Sequence, residues 1–361
     1  MSFSTTRVNS SELNEDNYVS TENMLQDYQG IVEAKSVPED VNVISFSCGN
    51  ILISNIRPYL KKVWKSTFNG GCSSDVFVLK ANDNIESDYL HYVIANDKFI
   101  NFVMSGAKGV KMPRGDKKQM KTYSLSLPQI QEQHKIARLL SLLDERITTQ
   151  NKIIEDLKKL KSAIIDYVIN SHNTDFAKFG SLYEMAGEGG TPTTSNASFY
   201  DNGRIPFIKI DDLKKKYLTE NKDFITELGL QKSSAWLIPT HSILFSNGAT
   251  IGEITITTYP VCTKQGILGI VPKQNIDVEF LYYFMSSSYF KKAVSRIVTE
   301  GTMKTAYLKD INNILCPIPT KEKQQEIAKI PSALNSKIDF EQSILKLFGS
   351  QKQYLLRQMF M

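Results

Sequence analysis

Apolar residues recur along two stretches of the chain in alternating steps of four and three. In the first stretch Ile136, Leu140, Leu143, Ile147, Ile154, Leu157, Ile164 and Val168 share one frame, with Gln150 and Lys161 at the skipped positions. In the second, Ile327, Leu334, Ile338, Leu345, Phe348, Leu355 and Met359 occupy the same frame. Glu341 and Lys352 stand where Gln150 and Lys161 stood, and Pro331 replaces Leu140. The spacing predicts two long helices, each with a coiled-coil seam rather than a broad globular face. Polar residues at matching seam positions predict a register device. Two independent amphipathic helices, each packed on its own domain, are the alternative. If the helices pair, they run antiparallel, because one helix follows each domain and twofold-related domains stand at opposite ends. About 35 helical residues at 1.5 Å each give a spacer about 50 Å long. Pro331 predicts a kink or a late start in the second helix.

The two stretches belong to a longer repeat. Aligning Pro128 with Pro319, an offset of 191 residues, places Ile136 on Ile327, Ala137 on Ala328 and Leu143 on Leu334. Upstream, "DYLHYVI" (Asp88–Ile94) falls on "EFLYYFM" (Glu279–Met285) at the same offset. With one gap, "GNILISN" (Gly49–Asn55) lies near "HSILFSN" (His241–Asn247), and "YVSTENM" (Tyr18–Met24) over "FIKIDDL" (Phe207–Leu213). A period this long excludes a solenoid and predicts a pseudo-symmetric pair of domains. The globular parts read as mixed α and β (α+β overall). Strand-like runs such as "NILIS", "DVFVLKA", "EITITTY" and "GILGIVP" are broken by Gly, Pro and Asn, and each module then turns helical over 87–104 or 278–298. The expected order is a first domain over 1–127, a first spacer helix over 128–173, a second domain over 174–318 and a second spacer helix over 319–361.

Composition adds limits. The 361 residues are 41% hydrophobic and 22% charged, enough to bury ordinary cores, and the net charge of +5 permits a polyanion partner without demanding one. Cys48, Cys72, Cys262 and Cys316 are scattered singly, which predicts reduced thiols in a cytoplasmic protein, and four histidines leave no zinc-like set. The first thirty residues hold no apolar h-region, and no run of 18 apolar residues predicts a membrane span.

Catalytic signatures are missing: there is no GxxxxGK[ST], HExxH or GxSxG. "GEGG" (Gly187–Gly190) lacks the spacing of a dinucleotide loop and continues into a polar loop. No Asp-Pro-Pro-Tyr or Asn-Pro-Pro-Phe tetrapeptide of an amino-methyltransferase occurs. The chain therefore reads as a binder, with no catalytic residue and no metal site.

The strongest binding signal lies between Met104 and Lys121, where Lys108, Lys111, Arg114, Lys117, Lys118 and Lys121 face a single Asp116 among flexible glycines. Such a loop suits a polyanion backbone, although a solvated charge run is the plainer alternative. The matching stretch of the second module again places Thr302 and Lys304 beside a glycine before the long helix. Further candidates for phosphate or base contact are Asn55, Arg57, the Lys61–Lys65 cluster, Thr191, Thr193, Ser195, Lys209, Asn247, Thr263, Lys264 and Gln265.

These features resemble the specificity subunits of type I restriction–modification systems. The resemblance is carried by "LPQIQEQHKIARLLSLLDERI" and its echo "IPTKEKQQEIAKIPSALNSKI", each with Gln five residues after a proline and then Ile-Ala. "GEGGTPTTSNASFY…IPFIKIDDL", "YVSTENM" and the ending "LLRQMFM" add to it, and it covers nearly the whole chain. It implies two target-recognition domains, each reading half of a split double-stranded DNA sequence, with two antiparallel helices fixing the unread gap. It also implies a non-catalytic chain that assembles with two adenine-methyltransferase (modification) subunits and with ATP-dependent restriction–translocation subunits. S-adenosylmethionine, magnesium and ATP would belong to those partners. The polar residues before Asn17 are unlike the opening of the second module (Thr174–Ser195), so the first domain is expected to be N-terminally short or to begin upstream. The rival reading is a coiled-coil adaptor that binds protein and no DNA.

Overall fold

The β-branched runs do form strands, and each module folds around one of them. The computed structural model describes residues 1–170, 175–248, 250–298 and 304–360. It divides into two units, one of residues 1–151 with 343–361 and one of residues 152–342. The first unit contains β1 (Ser2–Phe3), β2 (Arg7–Asn9), β3 (Tyr18–Val19), β4 (Asn42–Phe46), β5 (Ile51–Ser54), β6 (Val63–Lys65), β7 (Gly70–Cys72), β8 (Val76–Lys80), α1 (Ser87–Ile94), α2 (Asp97–Ser105), α3 (Lys117–Lys121) and the first half of α4 (Ile130–Asn170). Its strands form two sheets, ordered β1-β8-β5-β6 and β2-β4-β7-β3. All four residues of β5 are buried, as a strand covered on both faces requires. Ile51 and Ile53 pack under α1 and α2 with Tyr89, Val93, Phe99 and Ile100, while Leu52 points into a second cluster with Val19, Phe46 and Cys72.

The second unit contains β9 (Phe176–Lys178), β10 (Tyr183–Glu188), β11 (Ile205–Ile208), β12 (Tyr217–Leu218), β13 (Asp223–Ile225), α5 (Glu227–Gln231), β14 (Ile243–Ser246), β15 (Ile254–Thr257), β16 (Cys262–Thr263), β17 (Ile267–Pro272), α6 (Val278–Ser286), α7 (Ser288–Ile297), α8 (Leu308–Ile311), β18 (Leu315–Pro317) and the first half of α9 (Lys321–Met359). Its sheets run β10-β17-β14-β15-β12, β13-β11-β16 and β18-β9. The fully buried β14 repeats the logic of β5. Ile243 and Phe245 meet Phe284 and Phe290 of the helices, and Leu244 meets Ile208 and Val261 on the other side.

The faint alignment of Tyr18–Met24 with Phe207–Leu213 is a real structural equivalence. Val19 pairs with Cys72, and Ile208 with Thr263, in the same short parallel ladder. The smaller sheets then diverge: the first unit adds β4 and β2 beyond β7, whereas the second adds β13 beyond β11. The polar opening of the chain also has a place. β1 lies antiparallel to β8, as β10 does to β17, supplying that edge with two residues in place of six. Each helical stretch after the sheet is broken in two, because Asn96 and Ser287 accept hydrogen bonds from the N–H groups of Lys98 and Phe290 and so start new helices.

Each unit packs the start of one long helix against the end of the other, which is antiparallel pairing. In the first unit Ile136, Ala137 and Leu140 of α4 share a cluster with Leu355, Leu356, Met359 and Phe360 from the end of the chain. In the second, Ile165 and Ile169 of α4 share one with Ala328 of α9. Along the seam Leu140, Leu143, Ile154, Ile327 and Ile338 are buried, and Ile136, Ile147, Leu157, Ile164, Leu334, Leu345, Phe348 and Leu355 are half-buried. The polar seam positions are occupied in matching ways. Lys352 bonds Asp144 in the first unit, and Lys161 bonds Asn335 at 2.9 Å in the second, the two pairs being related by the 191-residue repeat. Helix α9 begins at Lys321 and passes through Pro331, so no late start occurs. The proline has no N–H to offer the Ile327 carbonyl. The adjacent Ser332 hydroxyl joins the Lys216 ammonium (3.0 Å) and the Tyr283 hydroxyl (3.1 Å), with Glu279 completing the network.

The glutamine shared by both helix openings fastens helix to domain. Gln133 accepts a hydrogen bond from the Glu86 N–H (2.9 Å) and donates to the carbonyls of Asn84 (3.1 Å) and Pro128 (2.9 Å). Gln324 does the same with the Asp277 N–H (2.8 Å) and the carbonyls of Asn275 (3.3 Å) and Pro319 (2.9 Å). Both side chains are 1% exposed. Glu86 and Asp277 are themselves the N-caps of α1 and α6, so one buried amide ties two helix starts together. Gln133→Ala or Gln324→Ala leaves buried backbone groups without partners, and each should lower stability by about 2–3 kcal/mol in urea unfolding.

His91 of α1 is half-buried, its Nδ1 is shut off from solvent without a hydrogen-bond partner, and its ring lies 5.0 Å from that of Tyr92. Burial, then the positive charges of Lys352 and Lys65, outweigh Asp144 and Asp88 and push it down to about 4 from 6.5. Folded His91 therefore stays neutral while the unfolded chain takes up a proton near pH 6.5. The stability this represents is whole above that pH and is lost as pH falls toward 4, up to about 3 kcal/mol. In urea titrations at pH 7 and pH 4.5, His91→Leu should lose less stability on acidification than the wild type.

Candidate nucleic-acid interface

The same backbone device closes the end of the central strand in both units. Beyond β5, the Asn55 N–H donates to the Asp75 carbonyl (2.7 Å) and the Asn55 carbonyl accepts from the Gly115 N–H (3.0 Å). Beyond β14, the Asn247 N–H donates to the Gly266 carbonyl (3.0 Å) and its carbonyl accepts from the Ala306 N–H (2.9 Å). Asp75 corresponds to Gly266 in the repeat, and Gly115 to Ala306. Gly115 ahead of α3 and Ala306 ahead of α8 are thus held against the exit of the central strand. Both asparagine Oδ1 atoms are buried without a partner.

In the first unit this arrangement gathers the basic loop into a small hairpin. Lys108 and Arg114 exchange two backbone hydrogen bonds (3.0 and 2.9 Å), and the Arg57 N–H donates to the Pro113 carbonyl (2.8 Å). Arg57, Lys108, Lys111 and Arg114 are all exposed, as are Lys117 and Lys118 at the start of α3. Arg114 lies 3.5 Å from Asp75 and Lys108 3.5 Å from Asp116. Exposed pairs of this length hold the side chains only weakly. The Lys118 N–H donates to Asp116 (2.7 Å) and, as the largest influence, holds that carboxyl below its usual range. Lys117 lies over the Phe77 ring, 4.7 Å from its centroid. The structure therefore brings together Asn55, Arg57, Lys108, Lys111, Arg114, Lys117 and Lys118. Lys61 and Lys62 are occupied elsewhere, with Asp97 (2.8 Å) and the Thr21 carbonyl (2.6 Å), and Lys65 pairs with Asp88.

In the second unit the Thr191 hydroxyl accepts from the Gln265 N–H (3.3 Å), and Glu188 accepts from the Gly266 N–H (2.9 Å). The Lys264 N–H bonds the Ile208 carbonyl (3.0 Å), which sets Lys264 beside Lys209. Lys209 reaches Asp223 at 2.8 Å. Thr193, Ser195, Lys209, Lys264, Gln265 and Lys304 are exposed, and Thr302 lies outside the described residues. Two expected contact residues are corrected. Thr263 is 0% exposed and Asn247 2% exposed, because one belongs to the buried β16 and the other closes the central strand. They support the loops and cannot touch a ligand from where they stand. The "GEGG" glycines serve close packing: a Cβ on Gly189 would fall 2.2 Å from the Thr263 hydroxyl, and one on Gly190 2.3 Å from the Ala235 nitrogen. Sequence reading passed over the acidic partners Asp75 and Glu188, which no local pattern marks.

Among the described residues no group of three His, Cys, Asp or Glu side chains is placed to hold a metal ion, and no helix is long and apolar enough to cross a membrane.

The chain matches the model of the type I restriction modification DNA specificity domain twice, over residues 4–159 and 173–347. It is similar to a putative type I restriction enzyme MjaX specificity subunit of Methanocaldococcus jannaschii, 26% identical over 331 residues, which are 84% of this chain and 75% of that protein. The MjaVIII specificity subunit of the same organism is 26% identical over 296 residues, 75% of this chain and 69% of that one. In fold it is similar to the type I S subunit from M. genitalium, with a TM-score of 0.58 at 17% identity over 99% of this chain and 96% of that one. A chain from a solved type I restriction–modification assembly gives 0.63 at 17% identity, over 98% and 96%. Two matched domains that together span most of the sequence place this chain in the family of type I restriction–modification specificity subunits, the non-catalytic chains that recognise the DNA target.

Proposed function

We propose that the loop-bearing strand exits of the two units are the surfaces that read DNA, each meeting one half-site of a bipartite target. The observation that carries this is the repeated closure at Asn55 and Asn247, which offers equivalent loops from both modules. In the first unit Arg57, Lys108, Lys111, Arg114, Lys117 and Lys118 contact phosphates and base edges, Arg114 and Arg57 having the fork that reads guanine. In the second, Thr191, Thr193, Ser195, Lys209, Lys264, Gln265, Lys304 and Thr302 take that role. Asn55, Asn247 and Thr263 hold those loops in place. Two adenine-methyltransferase subunits, and for cleavage restriction–translocation subunits, supply the chemistry together with S-adenosylmethionine, magnesium and ATP. This chain supplies the address.

Filter binding of duplex DNA by the assembled complex across a salt series tests the proposal. Affinity should fall steeply with salt. Lys111→Ala and Lys118→Ala should each weaken binding and flatten the slope of log affinity against log salt by about one. Thr263→Val should leave the slope unchanged. Equal slopes for all four proteins would remove the first-unit hairpin from the interface.

A further inference from the structure

The basic hairpin carries an apolar tip that phosphate binding does not use. Between Lys108 and Arg114 the chain turns through Gly109, Val110, Lys111 and Met112, with Gly109 at φ +95°. A Cβ there would lie 3.2 Å from the Met112 carbonyl oxygen. Val110 is 100% exposed and Met112 47% exposed. One exposed valine is ordinary. Here two apolar side chains stand at the end of a projection whose remaining exposed side chains, Lys108, Lys111 and Arg114, are cationic.

The projection is also braced. The paired bonds of Lys108 with Arg114 close it, and Arg57 and Asn55 bind its return strand. Pro113 is buried, and Gly115 leaves no room for a side chain, since a Cβ would come 2.7 Å from the Met120 methyl. At the base of the loop the Gln119 amide donates to the Phe102 carbonyl (2.7 Å) and the Ser105 hydroxyl (3.0 Å).

Cations at the root draw the hairpin toward a polyanion, and that approach carries the apolar tip to the same surface. The extended apolar environment a duplex offers is the interior of the base stack, entered by prising one step apart. We infer that Val110 and Met112 form a wedge that enters between adjacent base pairs of the half-site read by the first unit. The unstacking favours sequences with an easily opened step, so the tip contributes specificity without a base-edge hydrogen bond. This rests on the DNA-reading role proposed above and adds the deformation that the first unit imposes.

The test uses the full chain assembled with its methyltransferase subunits, on duplexes carrying the motif that the complex methylates. 2-Aminopurine is placed in turn at each position of the first half-site and its flanks, and fluorescence reports unstacking. The expected result is a rise at one step on wild-type binding, lost in the double variant V110S/M112Q. That variant should keep the salt slope of binding, because its cations are untouched. Binding with no rise that depends on the tip, as contact with a thymine methyl alone would give, overturns the wedge and leaves DNA reading intact. Absence of binding by the wild-type complex would instead overturn the reading role itself.

Discussion

The whole arrangement depends on a buried glutamine at the start of each long helix. Apolar packing alone would allow a helix to slip by a turn against its domain, because one leucine face fits nearly as well as the next. Gln133 and Gln324 remove that freedom: each places three directional hydrogen bonds in a site shut off from water, where an unmade bond costs more than a made one contributes. The rotation and axial position of the helix are thereby fixed relative to α1 or α6, which in turn cover the central strand. Any loop at the exit of that strand inherits a defined position relative to the helix.

On this shared frame the two modules differ where a reader of two unlike half-sites should differ. The central strand, its closing asparagine and the two covering helices repeat in both. The smaller sheet does not, growing past β7 in one unit and past β11 in the other. Loop chemistry differs as well: the first unit shows a braced cationic hairpin, and the second a set of neutral hydroxyls and an amide about Lys209 and Lys264. The repeat keeps the scaffold, and the loops vary on it.

The long helices were legible because burial imposes a period on many residues at once, and the seam from Ile136 to Leu355 shows it. The polar seam positions were legible for the same reason, although their partners, Asp144 and Asn335, emerge only from the packed helices. The glutamines could be seen as a repeated letter without a cause, since their partners Asn84 and Asn275 lie 49 residues away in each module. The candidate contact residues were legible as a region and misread in part. "SNGAT" and "CTKQG" look like solvent-facing turns, yet Asn247 and Thr263 close buried strands. Lys61, Lys62 and Lys65 look free until tertiary folding brings Asp97, the Thr21 carbonyl and Asp88 to them. A two-residue strand such as β1 leaves no periodic trace.

Comparing the N6-methyladenine pattern of DNA from cells carrying this chain and the proposed methyltransferase subunit with that of cells lacking the chain tests the account most directly. It predicts a new motif of two short half-sites at a fixed gap, with the first half-site changing when the hairpin from Lys108 to Arg114 is replaced and the second left as it was. A single unbroken motif, or no motif from a complex shown to assemble, would contradict it.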